Sequence, residues 1–208
     1  MYDAILFDLD GTLVDTESLS ITAGMAAFAA HGHVVSRAFF ESLIGTDDTA
    51  SNAAFRRAFP GIDLVAVTES YRANYHAEVA KGVPLKPGVA TLLPALRMPA
   101  AIVTSSGRSS AANKLSITGL AAHFAEIITR DDVTKAKPDP EPYLLAARRL
   151  GVLPARCLVF EDSETGAEAA HRAGCRVVQV PDILPSQGRW AHHVAPDLLT
   201  GARLAGLL

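Results

Sequence analysis

Cysteine is nearly absent: of 208 residues only Cys157 and Cys175 carry a thiol. Each adjoins an apolar stretch, Cys157-Leu158-Val159-Phe160 and Cys175-Arg176-Val177-Val178, so buried, inert thiols are expected rather than a disulfide framework. With no spaced histidine pair beside them, two cysteines also build no zinc site. Long apolar runs are missing too. The first short one, Ala4 to Phe7, gives way to Asp8 and Asp10 and lacks a basic leader, so it reads as neither signal peptide nor membrane span. A basic excess is likewise missing. Nineteen Lys and Arg against 22 Asp and Glu leave a net charge of -3 without a basic stripe, which argues against nucleic acid as a partner. What is present is a globular mix, 49% apolar and 20% charged, far from the composition of disorder. At about 100–200 residues per domain, this length holds one full domain, or one domain with a modest insertion. Such a chain hides roughly 70% of its unfolded surface, enough for a core without disulfides or a structural metal. A soluble, cytoplasmic, monomeric protein is expected.

Four short apolar runs punctuate the chain: Ala4-Ile5-Leu6-Phe7, Ala100-Ala101-Ile102-Val103, Cys157-Leu158-Val159-Phe160 and Val177-Val178-Gln179-Val180. Each is too short for a buried helix and reads as a strand covered on both faces. Glu126 to Thr129 supplies a weaker fifth. Helical stretches at Ser109 to Thr118, Glu141 to Leu150 and Glu164 to Ala173 separate the later ones, and this alternation predicts an α/β fold with a doubly wound parallel sheet. Residues 16–81 break the rhythm. They hold helix formers, as at Ile21 to Ala30 and Thr68 to Ala80, and no convincing strand, so a helical insertion after the first strand is expected. Its far end, Gly82 to Gly88, has the Pro and Gly density of a hinge or linker. The domain expectation is therefore a core of residues 1–15 and 82–208 with an insert of 16–81. A loop at Pro181 to Trp190 and a short terminal helix at Asp197 to Leu207 complete the reading.

Ligands of an open α/β sheet sit beyond the carboxyl ends of its strands. Here those ends deliver Asp8-Leu9-Asp10-Gly11-Thr12, Thr104-Ser105-Ser106-Gly107, Lys135-Ala136-Lys137-Pro138 and Glu161-Asp162-Ser163. One Asp-x-Asp-Gly is also an ordinary turn. Several acidic groups converging at one sheet edge repel one another unless a cation compensates them, and an all-oxygen set suits Mg²⁺. A lysine nearby suits a phosphoryl oxygen, and Thr104, Ser105 and Ser106 at a helix start offer hydroxyls and N–H groups to an anion. Together these describe a phosphoryl-transfer site.

With their flanks, the same four segments resemble the ordered motifs of the haloacid dehalogenase-like hydrolases, over essentially the whole chain. They resemble most the phosphatase and β-phosphoglucomutase-like branch, with a Rossmann-like core and a helical cap. The resemblance implies that Asp8 is the nucleophile, forming an aspartyl-phosphate, and that Asp10 protonates the leaving alcohol and then activates water. It implies that Thr104 and Ser105 bind the phosphoryl group and that Lys137 neutralises charge, with Lys135 a rival that lacks a following proline. It further implies Mg²⁺ on Asp8, the main-chain carbonyl of Asp10, and Asp162, with Glu161 behind them. A dehalogenase lacks an acid at the position of Asp10, whereas a phosphate monoester needs one.

The expected activity is a Mg²⁺-dependent phosphatase of a small phosphorylated metabolite, of sugar phosphate or phosphoglycolate type. The alternative is a β-phosphoglucomutase-like mutase. If Gly45 is the cap-loop glycine of the mutases, Asp48 stands where they carry Arg and Ser20 where they carry His. A signalling receiver domain shares the Asp, Thr, Lys and Mg²⁺ pocket, but the helical insert and the late Glu161-Asp162 pair do not suit it. The histidines lack metal spacing, Trp190 reads as packing, and Arg56, Arg57, Arg72 and His76 read as solvated charges on insert helices.

Overall fold

The run Ala4-Ile5-Leu6-Phe7 forms a strand, β1 (Ala4–Phe7), with every residue buried. The computed structural model describes residues 1–44, 46 and 48–208. The chain divides into two compact units, Met1–Asp15 with Pro84–Leu208, and Thr16–Val83.

The Thr16–Val83 unit is helical: α1 (Thr16–Ala30), α2 (Arg37–Glu41), α3 (Asp48–Ala58) and α4 (Leu64–Lys81). Ser36 and Asp63 cap α2 and α4 by accepting from first-turn N–H groups. Its core gathers Ala27, Phe28, Val35 and Val67, and Phe28 meets the rings of Phe40, Phe55 and Phe59 at centroid distances of 5.7, 4.7 and 5.6 Å. Aromatic pairs at such distances add about 0.5–1.5 kcal/mol each beyond the area they bury. Within this unit lies a cavity of about 500 Å³ whose polar lining includes Glu17, Ser20, Thr46, Ser51, Asn52 and Tyr71. Gly45, on which the Asp48 alignment turns, lies outside the described residues.

In the other unit β1 is followed by α5 (Val89–Ala95), β2 (Ala100–Val103), α6 (Arg108–Thr118), β3 (Glu126–Ile128), α7 (Glu141–Leu150) and β4 (Cys157–Glu161). Then come α8 (Glu164–Arg172), β5 (Arg176–Gln179), β6 (His193–Val194) and α9 (Leu198–Leu204). The strands form a parallel sheet in the order β3-β2-β1-β4-β5-β6, the doubly wound architecture expected. Strands covered on both faces carry apolar side chains at every position rather than at alternate ones, and β1, β2 and β4 are buried throughout. Register is set by pairs such as Leu6 with Ala101 and Leu6 with Val159, and Phe7 stacks on Phe160 at 5.1 Å. Burying one such side chain contributes roughly 1.5–3 kcal/mol. The chain runs to one side of β1 for β2 and β3, then to the other for β4, so the switch point falls between β1 and β4.

The two chain segments that leave and re-enter this unit are themselves paired. Asp15 N–H donates to the Pro84 carbonyl and Lys86 N–H to the Leu13 carbonyl, both at 2.9 Å. The strand at His193–Val194 has too little apolar content to be read from sequence. Cys157 and Cys175 are buried free thiols. Among the described residues no helix is long and apolar enough to cross a membrane.

Candidate active site

Backbone pairing continues past the strand ends and fixes the residues just beyond them. Asp8 N–H donates to the Phe160 carbonyl at 3.0 Å, Thr104 N–H to Ile128 at 2.9 Å and Val180 N–H to Glu161 at 2.7 Å. The chain then turns at Gly11, whose φ of 86° is a left-handed conformation that glycine adopts without strain. A Cβ there would collide with the Asp162 carboxylate, so the glycine also lets the β1 and β4 exits approach. Asp8, Asp10, Thr104, Ser105, Lys137, Asp162, Ser163, Thr165 and Gly166 line a cleft of about 180 Å³ at these ends.

Lys137 is the electrostatic centre of one half of the cleft. Its Nζ lies 2.7 Å from Asp8 Oδ1, 2.6 Å from Glu161 Oε1 and 2.7 Å from the Val103 carbonyl, so its three N–H donors are all met. Burial works against its charge, but Asp8 and Glu161 outweigh it and raise the pKa above the usual lysine range. Lys135 is elsewhere, 72% exposed and 3.9 Å from Asp139. Glu161 also accepts from the Tyr143 hydroxyl at 2.6 Å and from Ser163 Oγ at 3.1 Å. It packs on the first turn of α8 where Gly166 has no Cβ; a methyl group there would overlap its carboxylate. Tyr143 is fully buried beneath Lys137, which lies 5.1 Å from its ring centroid.

Asp10, only two residues from Asp8, belongs to the other half. Its Oδ1 takes Lys114 Nζ at 2.5 Å, and its Oδ2 takes Ser106 Oγ at 2.8 Å and Thr104 Oγ1 at 3.4 Å. The helix start expected at Thr104 to Ser106 lies further on. Helix α6 begins at Arg108, the Ser106 N–H goes to Thr104 Oγ1 at 3.0 Å, and the Arg108 N–H goes to Asp131 Oδ2 at 2.7 Å. Of the amides expected to cradle an anion, those of Thr104 and Ser106 are already engaged, the first by the Ile128 carbonyl and the second by Thr104 Oγ1.

Oxygen atoms of Asp8, Glu161 and Asp162 lie within 4.8 Å of one another. Burial, followed by the neighbouring carboxylates, pushes Asp162 well above its ordinary pKa. Asp8 is pushed up to about 7, first by burial, with Lys137 pulling down and Glu161 and Asp10 pushing up. Three crowded carboxylates share one ammonium, and the donors are all hard oxygens, so the residues fit a divalent cation of the Mg²⁺ type. A further carboxylate, Asp182, reaches Gly11. Its Oδ1 accepts from Lys86 at 2.5 Å, and its Oδ2 is buried without a hydrogen-bond partner among the described residues.

Residues 5–180 match the family described as haloacid dehalogenase-like hydrolase. The chain is 34% identical over 177 residues to validoxylamine A 7'-phosphate phosphatase of Streptomyces hygroscopicus subsp. limoneus, covering 84% of this chain and 83% of that one. It is 30% identical to the phosphorylated carbohydrates phosphatase of Thermotoga maritima, covering 83% and 82%. Among solved structures it is similar, with a TM-score of 0.86 and 29% identity, to a Deinococcus radiodurans hydrolase of the same family crystallised with phosphate and sodium, over 100% of this chain and 97% of that one.

Proposed function

Since the chain belongs to the haloacid dehalogenase-like hydrolases and is a phosphatase, we propose that it releases phosphate from a small phosphorylated sugar or related metabolite through a phosphorylated Asp8. The observation that carries this is the division of two carboxylates two residues apart. Asp8 sits in the buried Lys137–Glu161–Asp162 cluster, while Asp10 lines the same cleft but is held by Lys114, Ser106 and Thr104. Neighbouring acids in different environments are suited to different roles.

In this reading Asp8 Oδ attacks phosphorus, the bond to the alcohol oxygen breaks, and that oxygen takes the proton of Asp10. Asp10, now a carboxylate, removes a proton from water. The water oxygen attacks phosphorus, the bond to Asp8 breaks, and inorganic phosphate leaves with the Asp8 carboxylate restored. Thr104 and Ser105 orient the phosphoryl oxygens, and Lys137 offsets charge beside Asp8. Asp8, Asp162 and the main-chain carbonyl of Asp10 would hold Mg²⁺, with Glu161 behind them through Lys137. When bound, the ion supplies the positive charge that lets a phosphate dianion approach a carboxylate.

Residues 16–81 are assigned the choice of leaving group. The cavity of the helical unit offers hydroxyl, amide and carboxylate groups and, among its described lining residues, no Lys, Arg or His. Ser20 hydrogen-bonds there to Tyr71 at 2.9 Å. Apolar side chains such as Phe28, Phe40, Phe55 and Val67 make up much of the rest of the lining, and a lining without a cation disfavours a second phosphate, which supports hydrolysis over the mutase alternative. The test is a panel of phosphate esters with Mg²⁺, following free phosphate, with glucose 1-phosphate and a bisphosphate activator followed by NMR. Phosphate release from sugar phosphates is expected; efficient isomerisation without it would overturn the reading.

A further inference from the structure

Helix α6 buries Ala111 and Leu115, and Lys114 lies on that same stripe, 4% exposed. An apolar side chain would serve packing there. A lysine loses its hydration instead, which is unfavourable unless its charge is met at close range. It is met by one carboxylate and one hydroxyl. Lys114 Nζ lies 2.5 Å from Asp10 Oδ1 and 2.9 Å from Ser106 Oγ, and Ser106 Oγ lies 2.8 Å from Asp10 Oδ2. Ammonium, hydroxyl and both carboxylate oxygens thus close a ring. The Ser106 hydroxyl has one proton to give and lone pairs to spare, so it donates to Asp10 while accepting from Lys114. Lys137 plays no part in this ring; it is committed to Asp8, Glu161 and Val103. Each of the two carboxylates at the end of β1 therefore has its own buried ammonium, brought by a different element.

Resting on the phosphatase reading above, we propose that Lys114 is a positioning residue: with Ser106 it fixes the orientation of the Asp10 carboxyl on which both proton transfers depend. Lys114 is not among the residues that line the cleft, whereas Asp10 is, with 28% of its side chain exposed. Lys114 therefore acts through Asp10 and not on substrate. The proposed reaction uses Asp10 twice, toward the leaving oxygen and then toward water, and each use needs the carboxyl within hydrogen-bond reach of a different oxygen. An unrestrained aspartate divides its time among rotamers. A clamp on both oxygens removes that freedom before substrate arrives, which is how fixed geometry lowers a barrier.

The test is Lys114→Met in the full chain, followed by rapid quench with p-nitrophenyl phosphate and Mg²⁺. The nitrophenolate leaving group needs no proton, so formation of the phosphoenzyme should stay within about threefold of the parent rate. Its hydrolysis should slow about 10- to 100-fold, a share of what general acid–base catalysis contributes. With an alkyl phosphate kcat should fall while KM stays within about threefold. In an Asp10→Asn background the added Lys114→Met should cost nothing more, because its route of action is already gone. Equal slowing of both steps, unchanged kcat, or full additivity with Asp10→Asn would overturn the assignment. Should Lys114→Met not fold, Ser106→Ala opens the ring from the other side, and the same step-selective loss is required of it. A parent chain that forms no phosphoenzyme and releases no phosphate from any ester would remove the phosphatase reading and this assignment together. Normal turnover in the parent beside an unaffected Lys114→Met removes this assignment alone.

Discussion

Lys137 divides its donors among Asp8, Glu161 and a carbonyl, so Lys137→Met would leave two buried carboxylates facing each other without their cation. Breaking a buried pair in this way costs about 3–5 kcal/mol, and urea unfolding of metal-free protein should show a loss of that size. Asp8→Asn is the contrasting case. It removes a carboxylate that burial already disfavours and leaves Lys137 its bond to Glu161, so circular dichroism should report an intact fold. Phosphate release should fall at least about a thousandfold, as when a nucleophile is removed; retention of a tenth of the activity would rule out attack by Asp8. At this scale the sequence is legible wherever chemistry comes directly after a buried run: Asp8, Asp10, Thr104, Glu161 and Asp162 all do. Lys114 hides on a helix, and its signal is a lysine on the Ala111–Leu115 stripe, visible only once that face is known to be internal. Asp182 escapes a reading of motifs, although it stands just past the exit of β5 and obeys the rule that points to the others.

Elements reach the site through their ends. The first turn of α8 lies against Glu161 because Gly166 leaves space for it, so Gly166→Ala should shift either the helix or the carboxylate. Overpacking of this kind costs about 1–3 kcal/mol. Thermal unfolding and phosphate release should both decline, and a variant of parental stability and rate would show that the contact is soft. Asp132, in the turn after β3, accepts from the Thr129 hydroxyl at 2.6 Å and N–H at 2.9 Å and from Arg108 at 2.8 Å. Burial opposes its charge, yet these donors prevail and hold the carboxyl well below the usual range. A depressed folded-state value means stability present above the unfolded pKa of about 3.9 and lost as pH falls toward the folded one. Asp132→Ala should therefore cost about 1.5–3 kcal/mol at pH 7, with the gap to the parent closing below about pH 4 in urea titrations; a gap independent of pH would contradict the charge-based account. Helices α7 and α8 are legible because period and burial agree there, and the four apolar strands β1, β2, β4 and β5 because a short apolar run marks each of them. Helices α2 and α5 are only five and seven residues long, too short for a period to emerge, and β6 is a two-residue edge.

For the whole molecule the first expectation is linkage to the cation. Chelation should stop turnover and Mg²⁺ restore it, and Mg²⁺ at a hundred times its dissociation constant should stabilise the fold by about 2.7 kcal/mol. In a chain of this length that is a rise in melting temperature of roughly 5–11 °C. No shift on adding Mg²⁺, with activity surviving chelation, would exclude the ion from the site. The other consequence is one of timing, and it comes from the place of β1 in the sheet. The strand that carries Asp8 lies near the start of the sequence yet in the interior of the sheet, paired with Ala100–Ile102 on one side and Cys157–Phe160 on the other. On a ribosome adding about 5–20 residues per second, β1 waits roughly eight to thirty seconds for its second partner. Its pairings are long-range and slow to form, whereas the contacts of residues 16–83 are local to one stretch of chain. The helical unit is thus ready to fold while the sheet is still half made, and the candidate cleft is among the last features to be completed. A nascent chain stalled before Cys157 should already protect helical amides yet release no phosphate: until β4 emerges, Asp8 has neither Glu161 nor Asp162 beside it.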